Sequence, residues 1–379
     1  MASRTVIRTL TGGVLAATVA LSNAAPFSQS QAPNGVPSAL LQKLTRGVNI
    51  TRWFCYGSPT DTATFKGYLL DEDLQNFKRL GVHYVRLCIS PEVIYRAGVP
   101  DPTNLQYIDA ALDRLESAGL AVIWDLHDNG QMKLDAPDHD NTGFIKFWEA
   151  VANHYKGKHE LSAVFELLNE PIFLKNADVW YKLQRQTVAA IRAIDPDRTV
   201  LISSNFWDGL DALTTMQPLE EKNLIYSFHC YDPFVFTHQG ATWTGEQQKA
   251  LKDIPFPSSP EGVAAMIDKI PSQFQAAVKD YGEHRFGAKY LEERLGSAMR
   301  WGSQNHVPVL LGEFGAYPPV SPPDSRARWF DGMAAAIKSL NVPNCLWGYD
   351  DGFGFGRTVS SDGKVHLDPL TLKHLYKMP

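Results

Sequence analysis

Residues 161–171 read LSAVFELLNEP and join a strand pattern to an abrupt polar ending. The branched apolar run over residues 164–168 is typical of a strand that is buried on both faces. Pro171 cannot donate a ladder hydrogen bond, so we predict that Glu170 lies at the carboxyl end of this strand. A carboxylate in that position is costly to bury unless it has a use. This stretch therefore predicts both a parallel strand and a functional glutamate.

A second stretch repeats the pattern 143 positions further on. Residues 307–315 read VPVLLGEFG, an apolar run that ends at Glu313. The carboxyl ends of the strands of a parallel barrel meet at one face, where such barrels keep their active sites. Two glutamates at that face could serve as the acid/base and the nucleophile of a retaining glycosidase.

The rest of the chain alternates strand and helix patterns eight times, which predicts an α/β fold of the (β/α)8, or TIM barrel, type. We predict strands at 46–50, 82–89, 120–126, 164–168, 199–203, 224–229, 309–312 and 344–347. Helices are predicted at 71–80, 105–118, 142–155, 179–194, 209–215, 289–304, 325–340 and 370–376. A helical insertion at 237–287, between strand six and helix six, is expected to form a lid over the barrel mouth. The alternative, an open doubly wound sheet, lacks its glycine-rich phosphate turn after the first strand.

The ends of the chain and its composition set the expected location. Residues 1–25 have the basic start, short apolar run and small residues of a signal peptide, with cleavage near Ala24 or Ala25. Residues 26–42 are predicted to be a mobile or surface lead-in, and residues 43–379 the catalytic domain. The net charge of −5 does not suggest nucleic acid or an anionic membrane as a partner. We expect a secreted protein, extracellular or periplasmic, that is a monomer and needs neither cofactor nor metal.

The four cysteines, Cys55, Cys88, Cys230 and Cys345, match no zinc-binding spacing. Cys88 and Cys345 are expected to pack as small hydrophobic residues on barrel strands. A disulfide that involves Cys55 is left open. The acidic stretch Asp138-His139-Asp140 is interpreted as a solvated loop, and the sequon at Asn49 as a poor glycan acceptor because it lies at a strand end.

Polar and aromatic residues follow the predicted strands in a pattern that resembles glycoside hydrolase family 5, the large cellulase and mannanase family. The residues that carry the resemblance, over nearly the whole mature chain, are Arg86, His127, Asn169, Glu170, His229, Tyr231, Glu313 and Trp347. The resemblance implies that Glu313 is the nucleophile and Glu170 the acid/base. Arg86 and Tyr231 should hold Glu313 ionised, while an apolar setting should keep Glu170 protonated.

The resemblance also implies roles for the neighbours. Asn169 is expected to bind the sugar 2-hydroxyl, His127 and His229 to position hydroxyls and the acid/base, and Trp347 to form the floor under the sugar. Trp347 is expected to precede a cis peptide bond. Glu166 is interpreted as a buried ion-pair partner of the site and Asp125 as a support.

Several aromatic residues are candidates to stack on a bound polysaccharide or oligosaccharide, namely Phe234, Trp207 and Trp243, with Phe236 beside them. Cellulose-like or mixed-linkage β-1,4-glucan is the favoured substrate. β-Mannan is the second choice, and other β-glucans or an exopolysaccharide follow. A barrel that only binds carbohydrate is a further alternative, but it would lack one of the two carboxylates. A metal-dependent hydrolase is disfavoured, because the site histidines have no carboxylate co-ligands at suitable spacing.

Overall fold

The computed structural model describes residues 33–96, 99–128, 130–136, 141–159 and 163–378. The expected signal peptide, the start of the lead-in segment, the Asp138-His139-Asp140 stretch and the first two residues of 161–171 lie outside these ranges. Among the helices of the described part, none combines the length and apolar character that a membrane span requires.

Eight parallel strands form a closed barrel, which confirms the predicted fold. In chain order the strands are β1 Arg46–Phe54, β2 Tyr84–Ile89, β3 Ala121–Leu126, β4 Ala163–Glu166, β5 Val200–Ser203, β6 Leu224–His229, β7 Val309–Glu313 and β8 Asn344–Leu346. Each strand pairs with the next in sequence, and β8 pairs with β1 to close the ring. The carboxyl ends of all eight strands therefore open on one face.

The helices that follow the strands surround the barrel. They are α1 Asp71–Leu80, α2 Pro102–Ser117, α3 Thr142–Tyr155, α4 Ala177–Ile194, α5 Leu210–Thr215, α6 Ala288–Asn305, α7 Pro323–Leu340 and α8 Pro369–His374. Additional helices lie at Ser38–Lys43, Thr62–Gly67, Pro91–Ile94, Phe234–Thr237, Glu246–Ala250, Pro260–Ala264 and Ser272–Glu283, with a left-handed turn at Asn205–Asp208 and 3-10 turns at Pro33–Gly35 and Ile267–Lys269. Two short ribbons pair Tyr95–Arg96 with Val99–Pro100 and Thr358–Val359 with Val365–His366.

Element ends differ from the prediction by a few residues. Strand β4 stops at Glu166, earlier than predicted, although the Leu167 and Asn169 N–H groups still bond to neighbouring strand carbonyls. Helix α4 begins at Ala177, and Asn176 caps it by accepting the Asp178 N–H. The predicted start of this helix at residue 179 was therefore two residues late.

The barrel interior has an apolar lower layer and a charged upper layer. On β2 the inward residues are Tyr84 and then Arg86, and on β3 they are Ile123 and then Asp125, all of them buried. A Cβ at Gly47 would lie 2.4 Å from the Tyr84 ring, so only glycine leaves room for that ring at the barrel centre. Side chains alternate along a strand, which brings the upper layer directly beneath the strand ends.

The lead-in segment is not confined to the surface as predicted. Its described part contains the helix Ser38–Lys43, and Val36, Leu40 and Leu44 are buried against the lower barrel layer, including Tyr84 and Ile225. These three apolar residues cover the end of the barrel opposite the polar strand ends. The spacing of four between them fits one helix face, a signal too short to stand out in a polar segment.

The insertion at 237–287 is helical, but only its beginning reaches the barrel mouth. Trp243 lies at the groove described below, whereas the helices Pro260–Ala264 and Ser272–Glu283 pack on each other. The Arg328 guanidinium on α7 also donates to the Phe256 carbonyl at 2.8 Å. The expected lid is therefore a groove wall that continues into a part packed against α7.

The four cysteines are buried as thiols, and Cys345 and Cys88 pack in apolar clusters as predicted.

Candidate active site

Arg86 organises the upper layer of the barrel. Its buried guanidinium donates to both oxygens of Glu166 at 2.6 and 2.7 Å and to Glu313 Oε1 at 2.7 Å. It also donates to the amide oxygens of Asn49 and Asn169, both at 2.9 Å. Five planar N–H donors in a fixed fork suit this task, and lysine could not replace them.

Glu166 and Asp125 are in the positions predicted for supports. Burial raises the pKa of Glu166 to about 8, although Arg86 opposes the shift. Burial acts on Asp125 in the same sense, but Arg86 and His127 outweigh it and leave the pKa of Asp125 below its ordinary value. One guanidinium thus faces three carboxylates, because Glu313 is the third.

Glu313 ends β7 and is held by two donors. Arg86 donates to Oε1 at 2.7 Å, and the Tyr231 hydroxyl donates to Oε2 at 2.8 Å. Burial raises the pKa of Glu313, while the His229 and Arg86 side chains act against this shift. The net direction differs from the lowered pKa that we predicted, because the strand end is more enclosed than the sequence suggests and Arg86 is shared. Donors on both oxygens still favour the ionised form.

Glu170 follows β4 in a left-handed backbone conformation, with φ of 44°. Its side chain is 29% exposed, so it faces the open mouth of the barrel. Its Oε1 lies 3.0 Å from His229 Nδ1. Burial of the carboxyl raises the pKa of Glu170 to about 7, and the His127 and Arg86 side chains only partly offset this shift. One oxygen of Glu170 and one of Glu313 lie within 4.8 Å of each other.

His127, Asn169 and Trp347 form a second side of the site. His127 Nδ1 lies 2.8 Å from Asp125 Oδ2, so this nitrogen donates and Nε2 accepts from the Tyr56 hydroxyl at 2.8 Å. The Asn169 amide nitrogen lies 3.3 Å from the same Nε2. The Trp347 ring stacks on His127 with centroids 5.6 Å apart, and the Trp347–Gly348 peptide bond is cis, as predicted.

A groove of about 1340 Å³ runs from Glu170 across the β5 and β6 ends. The three predicted stacking residues line it, with exposed fractions of 50% for Trp207, 42% for Phe234 and 60% for Trp243. Phe236 does not belong to this set. It is fully buried against Phe256, because the short helix Phe234–Thr237 turns it inward.

The residues of the site that were not singled out in the sequence include Tyr56, Asn49, Phe206 and His238. Tyr56 contacts His127, and Asn49 anchors Arg86 while its amide nitrogen donates to the Gly312 carbonyl at 3.1 Å. Phe206 lines the groove beside Trp207, and His238 stacks on the Phe234 ring at 4.0 Å. Asn49 could have been found, since its expected burial at a strand end already excluded a glycan. The others depend on loop conformation, which leaves no periodic signal.

A family model described as Cellulase (glycosyl hydrolase family 5) matches residues 51–352. The chain belongs to glycosyl hydrolase family 5. Membership of family 5 places the chain among the glycoside hydrolases, as the strand-end residues predicted.

Two curated relatives of the chain are endoglucanases. Endoglucanase 3 of Fibrobacter succinogenes is 28% identical over 361 residues, which cover 88% of this chain and 53% of that protein. The chain thus spans about half the length of this relative. Endoglucanase C of Acetivibrio thermocellus is 24% identical over 314 residues, which cover 80% of this chain and 90% of that protein.

Solved structures share the family 5 barrel. Cel5A of Thermotoga maritima in complex with cellobiose has a TM-score of 0.71 and 24% identity, and covers 89% of this chain and 98% of its own. The same enzyme in complex with mannotriose gives a TM-score of 0.69 at 24% identity, over 89% of this chain and 99% of its own. At these identities the likeness concerns the fold.

Proposed function

We propose that this family 5 protein is a retaining endo-β-1,4-glucanase that uses Glu313 as nucleophile and Glu170 as acid/base. The observation that carries the proposal is that one carboxylate oxygen of Glu170 lies within 4.8 Å of one carboxylate oxygen of Glu313. A retaining pair stands about 5 to 5.5 Å apart, whereas an inverting pair leaves about 6.5 to 9.5 Å for a water molecule.

The partners of the two glutamates fit different roles. Glu313 accepts hydrogen bonds on both oxygens, which favours the anion that attacks carbon. Glu170 has a pKa raised to about 7 by burial, so it keeps its proton in mildly acidic solution and can give it to the departing oxygen. In the second half of the reaction the Glu170 carboxylate takes a proton from water, which then displaces Glu313.

β-1,4-Glucan is the proposed substrate class, with β-mannan as the second candidate. The curated relatives named above are endoglucanases, and the Thermotoga maritima enzyme has been crystallised with both cellobiose and mannotriose. A groove of about 1340 Å³ exceeds the roughly 300 to 1000 Å³ of sites for a single small ligand, so several sugar units fit. We also propose export through the leader at 1–25 and function as a monomer, which N-terminal sequencing of the exported protein and its mass in solution would test.

The deciding experiment is hydrolysis of a panel of glucans, mannans and xylans, with product lengths resolved and the first-formed anomer followed by proton NMR. We expect internal cleavage of β-1,4-glucan and a first product of β configuration. A first product of α configuration would refute retention, and faster cleavage of mannan would move the substrate to the second candidate. Binding of glucan without cleavage would leave only a carbohydrate-binding barrel.

A further inference from the structure

The turn after β5 brings a further carboxylate, that of Asp208, into the site. Phe206, Trp207 and Asp208 have φ values of 56°, 60° and 53°, all in the left-handed region that non-glycine residues rarely occupy. The turn is joined to β6 by a parallel bridge between Gly209 and His229. Such backbone conformations persist where the surrounding structure enforces them, often at functional sites.

Asp208 is fully buried, and its two oxygens have different surroundings. Oδ1 accepts from the Ser204 N–H at 2.6 Å and faces the Ser204 hydroxyl at 3.2 Å. Oδ2 lies 3.6 Å from His229 Nε2. Counting partners only within the described ranges, neither Oδ2 nor Nε2 has a hydrogen bond of good geometry. A Cβ at Gly312 would lie 3.1 Å from Nε2, so a side chain at position 312 would crowd this nitrogen.

The other ring nitrogen of His229 faces the acid/base. His229 Nδ1 lies 3.0 Å from Glu170 Oε1 and 3.4 Å from Glu313 Oε2. Burial lowers the pKa of His229 despite the opposing charges of Glu313 and Asp208, so the ring is neutral and carries one N–H. The nitrogen that holds this hydrogen decides whether Glu170 meets a donor or an acceptor.

We propose that Asp208 is a positioning residue whose carboxylate accepts the Nε2–H of neutral His229 and so leaves the Nδ1 lone pair facing Glu170. The proposal rests on the proposed role of Glu170 as acid/base. Protonated Glu170 then donates its O–H to Nδ1, which favours the form that can give a proton to the leaving oxygen. Hydrogen bonds between catalytic groups are often long without substrate, which accommodates the 3.6 Å separation.

Other charged groups face Glu170 and His229 from β2 and β3. Arg86 on β2 and Asp125 on β3 act on His229 in opposite senses. His127 and Arg86 both favour ionised Glu170, and Asp125 disfavours it. All of these groups are held in fixed hydrogen bonds, so a change at Asp208 leaves them in place.

The tautomer can be measured directly in the native protein. Nitrogen-15 NMR of histidine-labelled protein, with the His229 signals assigned through His229→Gln, distinguishes Nε2–H from Nδ1–H. We expect neutral His229 to carry its hydrogen on Nε2. A hydrogen on Nδ1 overturns the proposal. This measurement needs no substrate, so it stands even if the panel of polysaccharides refutes the proposed glucanase activity.

Asp208→Asn tests the consequence for catalysis, because asparagine keeps the oxygen that Ser204 contacts but loses the charge. Without the Asp208 charge, His229 can carry its hydrogen on Nδ1, and this N–H can donate to ionised Glu170. The pKa of Glu170 should then fall, so the alkaline limb of kcat/KM should move to lower pH by about half a unit or more. The control is Asp109→Asn, which breaks an Asp–His pair with His154 between α2 and α3, with contacts of 2.9 Å.

A comparison of the two variants shows whether Asp208 positions His229 or only stabilises the turn after β5. We expect the alkaline limb to move in Asp208→Asn and to stay in place in Asp109→Asn. If Asp208 only holds the turn, Asp208→Asn lowers Tm or raises KM on long chains with the alkaline limb unmoved, and the proposal is wrong. If Asp208→Asn does not fold, the tautomer in the native protein decides.

Discussion

Arg86 donates to Glu313 Oε1 over 2.7 Å from a guanidinium with no exposed surface. The same guanidinium is bound to Glu166 through both of that residue's oxygens, so it cannot swing toward or away from Glu313. A fixed cation therefore supports an anion at the point where a β-glycosidic bond would be attacked. The consequence is that the two catalytic candidates should respond differently to substitution.

Removal of the carboxylate of the proposed nucleophile should abolish most of the activity, and an added small anion should restore part of it. In Glu313→Gly we expect kcat to fall by about 10⁴-fold or more. Azide fits the space that the side chain leaves and attacks from the same face, so it should restore part of the rate and yield an α-glycosyl azide.

A variant at the proposed acid/base should yield the opposite anomer of the glycosyl azide. Glu170→Gly on an aryl glycoside with a good leaving group should yield a β-glycosyl azide, because the covalent intermediate still forms on Glu313. NMR of the products checks both variants. The reverse pairing of anomers would exchange the two roles.

Loss of the Tyr231 hydroxyl should move the acid limb of the pH profile. The hydroxyl donates to Glu313 Oε2 at 2.8 Å and so favours the ionised form. In Tyr231→Phe the pKa of Glu313 should rise, and the acid limb of kcat/KM should move to higher pH by about half a unit to one unit.

Tyr226→Phe is the matched control. The Tyr226 oxygen accepts the Leu219 N–H at 2.8 Å and is remote from both glutamates in the hydrogen-bond network. We expect this variant to lower Tm and to leave the acid limb unchanged. An unmoved limb in Tyr231→Phe would mean that Arg86 alone keeps Glu313 ionised.

Ionised Glu170 should lower the free energy of unfolding in neutral solution. Its folded pKa of about 7 lies above the ordinary value of 4.5, so ionisation opposes folding. The cost is absent below pH 4.5, grows between pH 4.5 and 7 and is complete above pH 7. Glu170→Gln should therefore gain about 1 to 3 kcal/mol in the free energy of unfolding near pH 8 and almost nothing near pH 4.

Chemical denaturation at the two pH values measures this difference. Glu246→Gln, on an exposed helix of the insertion, is the control and should give no gain in stability near pH 8, because it removes only the exposed ion pair with Lys249. A gain from Glu170→Gln that does not depend on pH would contradict the raised pKa.

The groove wall should matter only for long substrates. Trp243 is 60% exposed and lines the groove, and its ring packs edge-on against Tyr317 with centroids 5.1 Å apart. Trp243→Ala should lower kcat/KM on polymer about tenfold and leave a short aryl glycoside almost unchanged, since only long chains reach that point. Val359→Ala, which removes an exposed apolar side chain from the small ribbon, should affect neither substrate. Equal losses on both substrates would exclude a remote subsite at Trp243.

The buried face of the Ser38–Lys43 helix should contribute to stability. Leu40 is 1% exposed against the lower barrel layer, so Leu40→Ala should cost about 2 to 4 kcal/mol of unfolding free energy. Its neighbour Leu41 is only partly buried, and Leu41→Ala should cost less than about 1 kcal/mol. Urea titration of both variants tests this, and equal costs would mean that the helix does not close the barrel as described.

The sequence by itself determined the barrel and the identity of its chemical groups. Strand and helix periodicity is a local property, and Glu170 and Glu313 follow apolar strands directly, so both were predictable without a structure. Their shared location followed from topology, since the ends of parallel strands meet at one face. The donors Arg86 and Tyr231 were predictable for the same reason.

Only the tertiary structure decided how these groups affect one another. A pKa depends on burial and on charges from other strands, and for this reason the direction predicted for Glu313 was wrong. The burial of Leu40 beneath the barrel depends on packing partners far away in the chain. The burial of Phe236 likewise depends on the packing around it. The approach of Asp208 to His229 requires a left-handed turn, which no periodic pattern signals, because such a conformation is stabilised by the neighbours that enclose it.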